Sequence, residues 1–277
     1  MIMRSLLDSL LPSDFSPAVL TCTLLALGLY LRGLRRLQAV GHGVGVGGVL
    51  AYLLGVLSLY AMLQTRIDYY AQHMFYIHRL QHLVLHHLGP FLIALSAPQP
   101  VLRAGVPNAM WRRGLAPVLH SAWVRRPLQL MLSPILAPVL FVAGIGFWLI
   151  PPVHFAAMLS LPIYNTMNWS MIVDGLPFWW LMLDPRPRPP ARLGYGARIA
   201  VLMAVMLPQI LIGAVIGLSR HDLFNVYGIC GRLYPISAVT DQQIGGLIIW
   251  IPGSMMSVIA ALLVLGRLRG QQSAGFA

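Results

Sequence analysis

The chain has 277 residues, of which 58% are apolar and only 9% are charged, and its mean hydropathy is +0.74. Soluble domains carry about 25% charged residues, so this composition excludes an ordinary soluble fold and predicts an all-α membrane protein. The net charge of +12 comes from arginine alone. The arginines lie between apolar stretches rather than in a patch with interleaved aromatic residues, which argues against nucleic-acid binding.

Seven apolar stretches, each bounded by charges or prolines, predict a polytopic bundle of seven transmembrane helices in the lipid bilayer. In chain order they cover approximately residues 17–31, 44–63, 73–95, 128–150, 155–183, 199–218 and 244–265. No internal repeat or low-complexity segment interrupts them. Residues 1–277 are therefore predicted to form a single membrane domain.

Arginines are unevenly shared between the two sets of loops. Fourteen follow the first, third, fifth and seventh predicted spans. Arg79 lies just inside the third span, and the other side of the membrane receives only Arg4, Arg66, Arg220 and Arg232. Because cytoplasmic loops are enriched in arginine and lysine, this bias predicts an N-terminus outside the cell and a C-terminus in the cytoplasm.

The third predicted span contains a row of histidines. His78, His82 and His86 recur at four-residue intervals, and Met74 precedes them by four. Four residues turn a helix about 40° past a full circle and rise about 6 Å, so these side chains form a drifting stripe in which neighbours can share an ion. Imidazole and thioether suit copper. The stripe indicates metal or haem ligation, with hydrogen bonding between helices as the alternative.

Other polar residues lie within the predicted spans. His87 falls off the histidine stripe and is predicted to be interfacial. Arg79 and Asp174 are charges embedded in spans, and they indicate either a proton or ion relay or local pairing. In the fifth span Asn168 and Met171 share a face, and the Met171 thioether is a further candidate ligand.

The seventh predicted span begins with a polar turn. Thr240 and Gln243 fit a capping box. Asp241 lies at the positive end of the dipole of the same helix, which is a structural role. Asp241 also faces the same compartment as the upper histidines, so a role in metal entry is the alternative.

Three segments together resemble a known family over nearly the whole chain. They are His78-Arg-Leu-Gln-His82 with the later Pro90 and Ala97-Pro98, then Gly175 with Trp179-Trp180, and then Asp241-Gln-Gln-Ile-Gly-Gly-Leu-Ile-Ile-Trp250-Ile-Pro252-Gly253. This order of motifs is similar to that of the CtaG family of bacterial assembly proteins for caa-type cytochrome c oxidases. The third segment is the most specific of the three.

The resemblance implies a multi-pass protein of the bacterial inner membrane that helps to assemble a haem–copper oxidase. It implies copper binding and delivery, with oxidase subunits or other copper-delivery proteins as partners. His78, His82 and Asp241 carry over as candidate copper ligands. One departure concerns the fifth span, where family members carry a second histidine pair and this chain has Tyr164 and Asn168.

The missing pair leaves the copper ligand set incomplete. Either His86, Met171, His154 or His221 replaces it, with Tyr164 and Asn168 themselves as weaker candidates, or this chain does not bind metal in the family's way. No nucleophile, base and orienting group occur together, which predicts a protein that is not an enzyme. Two other functions stay open: a haem-binding electron-transfer or quinol-oxidising subunit, and a metal or proton transporter.

Overall fold

A computed structural model describes residues 15–275 of the chain, so Arg4 of the orientation argument lies outside the described residues. Every regular element in that range is helical, which confirms the all-helical prediction. The helices are α1 (Pro17–Ala39), α2 (Val46–Gln64), α3 (Arg66–His73), α4 (Phe75–Leu95), α5 (Gln99–Gly105), α6 (Ala122–Met131), α7 (Leu136–Trp148), α8 (Pro151–Met158), α9 (Leu161–Leu183), α10 (Tyr195–Leu218), α11 (Val226–Cys230) and α12 (Ala238–Gly275). Three short segments, Asn108–Met110, Trp111–Leu115 and Ala116–His120, connect α5 to α6.

Four of the described helices, α1, α2, α10 and α12, are long and apolar enough to cross a membrane. The bent pairs α4–α5 and α6–α7 raise the number to as many as six, with bends of 78° and 76°. Helix α9 is 23 residues long but is not among these helices. It carries polar residues such as Asn165, Asn168 and Asp174 along its length. Length and composition therefore support four to six spans.

Three of the predicted spans are interrupted near their starts. The predicted span 128–150 is broken between α6 and α7, at the bend given above. The predicted span 73–95 contains an extended residue, Met74 (φ −137°, ψ 124°), which separates α3 from α4. The predicted span 155–183 is divided between α8 and α9, and Pro162 lies in the first turn of α9. Proline fits a first turn because it lacks the N–H that would be unpaired there.

Helix α4 lies at the centre of the bundle, where it contacts α2, α9 and α12. The partner of α12 on its other side is α10, and small residues bring these two helices together. A Cβ atom added to Gly213 would lie 2.7 Å from the backbone nitrogen of Trp250. This tight pair of helices forms one wall around the histidines of α4.

The bundle has two polar ends, which we name by an aspartate at each. At the Asp241 end, α4 and α12 begin. At the Asp184 end, where α9 finishes, the buried Arg198 donates a hydrogen bond to the backbone carbonyl of Asp184. Arg267 donates to the carbonyl of Leu183 at 2.7 Å. The last carbonyls of a helix have no partner within it, so these two arginines also serve as C-terminal caps of α9.

Candidate functional site

Asp241 fixes the start of α4, the helix that carries the histidines. Its buried carboxylate accepts hydrogen bonds from the backbone N–H groups of Phe75 at 3.0 Å and Tyr76 at 2.8 Å. Arg232 donates a further hydrogen bond to it. The first N–H groups of a helix have no partner within it and favour negative charge. Asp241 therefore caps α4, and both of its oxygens have hydrogen-bond donors.

The start of α12 differs from the prediction. The hydroxyl oxygen of Ser237 accepts the N–H of Thr240 at 3.1 Å, so Ser237 is the N-terminal cap. The predicted capping box of Thr240 and Gln243 is wrong, because the helix begins earlier than the apolar pattern indicated. The capping of α4 by Asp241 could not be seen in the sequence, because Phe75, whose N–H the carboxylate accepts, lies 166 residues earlier in the chain.

Gln242 connects α12 to the loop that precedes it. Its side-chain oxygen accepts the N–H of Leu223 at 2.7 Å, and its amide donates to the carbonyl of His221 at 3.0 Å. The His221 side chain is exposed in this loop. The backbone of His221, rather than its imidazole, is the part that the bundle engages.

Three imidazoles meet near the Asp241 end. The rings of His78 and His82 lie 4.4 Å apart between centroids, and the ring of His154 from α8 lies 5.2 Å from that of His78. His78 is completely buried, and neither of its ring nitrogens has a hydrogen-bond partner within the described part of the chain. An unpaired buried polar group costs about 1–3 kcal/mol. A neutral imidazole has one N–H and one lone pair, so His78 offers one free ligating nitrogen at a structural cost.

The other two imidazoles are oriented by hydrogen bonds. His82 Nε2 lies 3.1 Å from Asn168 Oδ1, and the oxygen can only accept, so His82 Nδ1 keeps a free lone pair. His154 Nδ1 donates to the carbonyl of Trp148 at 3.0 Å, so its Nε2 accepts the Tyr227 hydroxyl at 2.9 Å. Burial raises the pKa of Tyr227, which lies in α11 between the long helices, and keeps its hydroxyl protonated.

The two positions that depart from the family pattern both face this group. Asn168 holds His82, as described above. The ring of Tyr164 lies 5.9 Å from that of His78, and its hydroxyl donates to Asp68 at 2.7 Å. Tyr164 and Asn168 therefore line the histidine group, although neither supplies an imidazole.

A π-helical turn, Leu83–Leu88, interrupts α4 and was not predicted. At its end the N–H of Gly89 bonds to the carbonyl of Val84, five residues back. The wider turn shifts the following residues around the helix axis, so His86 and His87 are both buried. The interfacial position predicted for His87 is wrong, because that prediction assumed regular α-helical spacing.

Both histidines of this turn contact polar residues on neighbouring helices. His87 Nε2 donates to Gln209 Oε1 at 2.8 Å. His86 Nε2 lies 3.1 Å from Asp174 Oδ1, and its ring stacks on Phe141 at 4.0 Å between centroids. Asp174 therefore pairs with His86, which is the local pairing that the sequence left open.

Pro90 provides a physical reason for the turn. In a regular helix the carbonyl of His86 would accept the N–H of residue 90, and proline has none. The indole N–H of Trp179 donates to this carbonyl instead, at 3.1 Å. Gly175 allows the approach, since a Cβ there would lie 2.5 Å from the same oxygen. Three residues of the sequence motifs thus serve one backbone carbonyl.

A cavity of about 30 Å³ lies beside His82, on the side toward the Asp184 end, between α4, α9, α10 and α12. Its polar lining residues are Arg79, His82, His86, His87 and Gln209. Met171, which is also buried, contributes a thioether to the same wall. The cavity is large enough for one or two water-sized guests.

The structure brings together some of the predicted ligands and separates others. His78, His82 and His154 form one group, and His86 and Met171 line the cavity beside it. Met74 precedes α4 in extended conformation, so the helical spacing that suggested its inclusion is absent. Between residues 15 and 275, no group of three His, Cys, Asp or Glu side chains is arranged to hold a metal ion.

Comparison with known proteins places these features in context. Residues 28–271 match the family described as cytochrome c oxidase caa3 assembly factor. The chain is 30% identical over 236 residues to uncharacterized proteins of Mycobacterium bovis and Mycobacterium tuberculosis, which covers 82% of this chain and 34% of theirs. An uncharacterized protein of Mycobacterium leprae is 24% identical over 256 residues, or 90% of this chain and 38% of that protein. The chain thus spans little more than a third of these curated relatives, and no solved structure gives a significant match.

Proposed function

The chain belongs to the family of cytochrome c oxidase caa3 assembly factors, and from this premise we propose that it binds copper and passes it to an oxidase during assembly. In this proposal the protein has seven spans in the bacterial inner membrane, with α9 added to the six candidate spans. The Asp241 end faces the outside and the arginine-rich Asp184 end faces the cytoplasm, in accordance with the arginine bias. The protein acts by binding rather than by catalysis.

The observation that carries the proposal is the pairing of His78 with His82. His78 is fully buried and has two unpartnered ring nitrogens, and its ring lies 4.4 Å from that of His82, whose Nδ1 has a free lone pair. Two imidazoles from successive helical turns can bind one ion from the same side. Copper(I) suits such a pair because it accepts imidazole ligands and low coordination numbers.

His154 is the proposed third ligand. Its Nε2 is now hydrogen-bonded to Tyr227, so it joins the coordination sphere only when the tyrosine hydroxyl moves away. Such a labile third ligand is suited to a protein that must also release its metal. Asn168 and Trp148 orient His82 and His154 through the opposite ring nitrogens, as the outer partners of metal-binding histidines generally do.

The test is copper analysis of the full-length protein, purified in detergent after loading with copper(I). We expect about one bound copper in the natural protein and near-complete loss in His78→Ala and His82→Ala. His120→Ala is the matched control, because His120 is exposed and remote in the chain. Copper-free natural protein in cells that assemble a fully metallated oxidase would contradict the proposal. An optical spectrum of the same sample tests the haem alternative, which requires a Soret band.

A transporter is the second candidate, and one observation favours it. Polar contacts continue along α4 beyond His82, through the His86–Asp174 and His87–Gln209 pairs. These pairs extend the polar interior toward the Asp184 end. Copper flux into sealed liposomes that contain the purified protein would support this function, and binding without flux would support the assembly factor that holds its cargo.

A further inference from the structure

Met158 is a thioether beside the histidine group that the histidine spacing in the sequence did not indicate. It is the last residue of α8, four residues after His154, so the two side chains lie on one face of the helix. His154 is completely buried, whereas Met158 is half-buried. The residue that follows, Leu159, is 53% exposed. Met158 thus lies between the buried imidazoles and the surface of the bundle.

One hydroxyl separates this sulfur from the nearest imidazole. The oxygen of Tyr227 lies 2.9 Å from His154 Nε2 and 3.8 Å from Met158 Sδ. A hydroxyl has one proton and donates to one of the two acceptors at a time. His154 Nδ1 donates to the carbonyl of Trp148, so the lone pair of the ring is on Nε2 and faces the same oxygen. A nitrogen lone pair and a sulfur atom therefore meet at one hydroxyl.

This pair of donor atoms suits a soft monovalent ion. Thioether ligands select copper(I), and imidazole suits copper as well, whereas hard cations such as Mg²⁺ take oxygen ligands. Metal–nitrogen and metal–sulfur bonds are about 2.0 and 2.3 Å long in protein sites. An ion that replaces the hydroxyl therefore requires the sulfur to move closer to His154. Methionine has three rotatable bonds and adapts easily to such a shift.

We propose that Met158 Sδ and His154 Nε2 form an entry site for copper(I) that supplies the pair of His78 and His82. This inference rests on the proposed copper function. The Tyr227 hydroxyl moves aside, and the ion binds between sulfur and nitrogen. A bond to His78 then replaces the bond to sulfur, while the ion stays on His154, whose ring lies 5.2 Å from that of His78. The exchange leaves copper in the +1 state, and the released sulfur accepts the Tyr227 proton.

The first experiment measures how fast the full-length protein in detergent takes up copper(I) from a coloured chelator complex. Met158→Leu keeps an apolar side chain of similar volume and removes the sulfur. We expect its uptake to be about tenfold slower, which corresponds to about 1.4 kcal/mol of lost stabilisation along the entry path. Met203→Leu is the matched control and should keep the natural rate, because Met203 is half-buried in α10 against the cluster that contains Phe178.

A gain of binding distinguishes a metal ligand from a residue that only packs. His78→Ala should lose copper, since the histidine pair is then incomplete. In His78→Ala, Tyr227→Phe the competing hydroxyl is gone, so His154 and Met158 should hold one copper(I) that has a sulfur neighbour in X-ray absorption. Addition of Met158→Leu to this double variant should remove both the copper and the sulfur signal.

The outcomes separate the entry site from the copper function itself. Uptake by Met158→Leu at the natural rate would overturn the entry site and leave the proposed function intact. So would a double variant that stays copper-free or binds copper without a sulfur neighbour, and this result decides the matter if Met158→Leu fails to fold. Natural protein that binds no copper(I) after loading would overturn both proposals.

Discussion

At the scale of single residues, Asn168 determines which nitrogen of His82 is available to a ligand. The amide oxygen accepts the Nε2 proton, so the lone pair is on Nδ1. The sequence resemblance implies that other members of the family carry an imidazole near this position. Here an amide orients the histidine without offering a strong ligand. In the proposed copper site, this position therefore orients a neighbouring ligand instead of binding the metal itself.

The first prediction concerns this amide. Asn168→Leu removes the acceptor and leaves the His82 N–H unpaired, so the ring loses its fixed tautomer and orientation. We expect copper affinity to fall about 10–100-fold, as for other losses of an outer partner. Competition with a copper(I) chelator measures the affinity. Asn165→Leu on the exposed face of the same helix is the control. Equal affinities of the two variants would show that Asn168 does not position His82.

At the scale of elements, the π-helical turn of α4 depends on α9. The carbonyl of His86 has no N–H to accept at Pro90 and is satisfied by Trp179. The turn places His86 against Asp174 and His87 against Gln209. Bulges of this kind are frequent at functional sites. In this chain the turn allows two consecutive histidines to face the interior.

The second prediction tests this dependence. Trp179→Phe keeps an aromatic ring but removes the indole N–H, which leaves a buried carbonyl oxygen without a partner. We expect a loss of about 1–3 kcal/mol in the free energy of unfolding, measured by denaturant titration in mixed micelles. Trp180→Phe is the matched control, since Trp180 is the next residue and is only half-buried. If both variants lose the same stability, the indole hydrogen bond is not the cause.

The sequence predicted the helical architecture and the place of the site because apolar length and histidine spacing are local properties. It located His78 and His82 on one helix and indicated the importance of Gly175. It missed the burial of His87, because the π-helical turn depends on Trp179, 93 residues from His86 in the chain. It placed Asp241 correctly in the first turn of α12 but missed that its carboxylate caps α4. Local patterns do not show which distant backbone groups a side chain will meet.

At the scale of the whole molecule, arginines have two roles at the Asp184 end. Arg198 and Arg267 cap the last turn of α9. Others are exposed near the start of α6, among them Arg125 and Arg126, close to the exposed Trp123. Tryptophan and arginine are both typical of a membrane interface, and arginine is typical of its cytoplasmic side. The Asp184 end also contains the bend between α6 and α7 and most of the positive charge.

The third prediction is that the Asp184 end faces the cytoplasm. In a Cys22→Ala, Cys230→Ser background, His221→Cys places a thiol at the exposed loop before α12, and Ala122→Cys places one at the exposed start of α6. A membrane-impermeant maleimide added to intact spheroplasts should label the first variant and not the second. After lysis both should react, which controls for thiol accessibility. The opposite pattern would reverse the orientation and place the histidine group near the cytoplasm. Labelling of both sites before lysis would mean that the two ends are on the same side, which is incompatible with the odd number of spans proposed between residues 122 and 221.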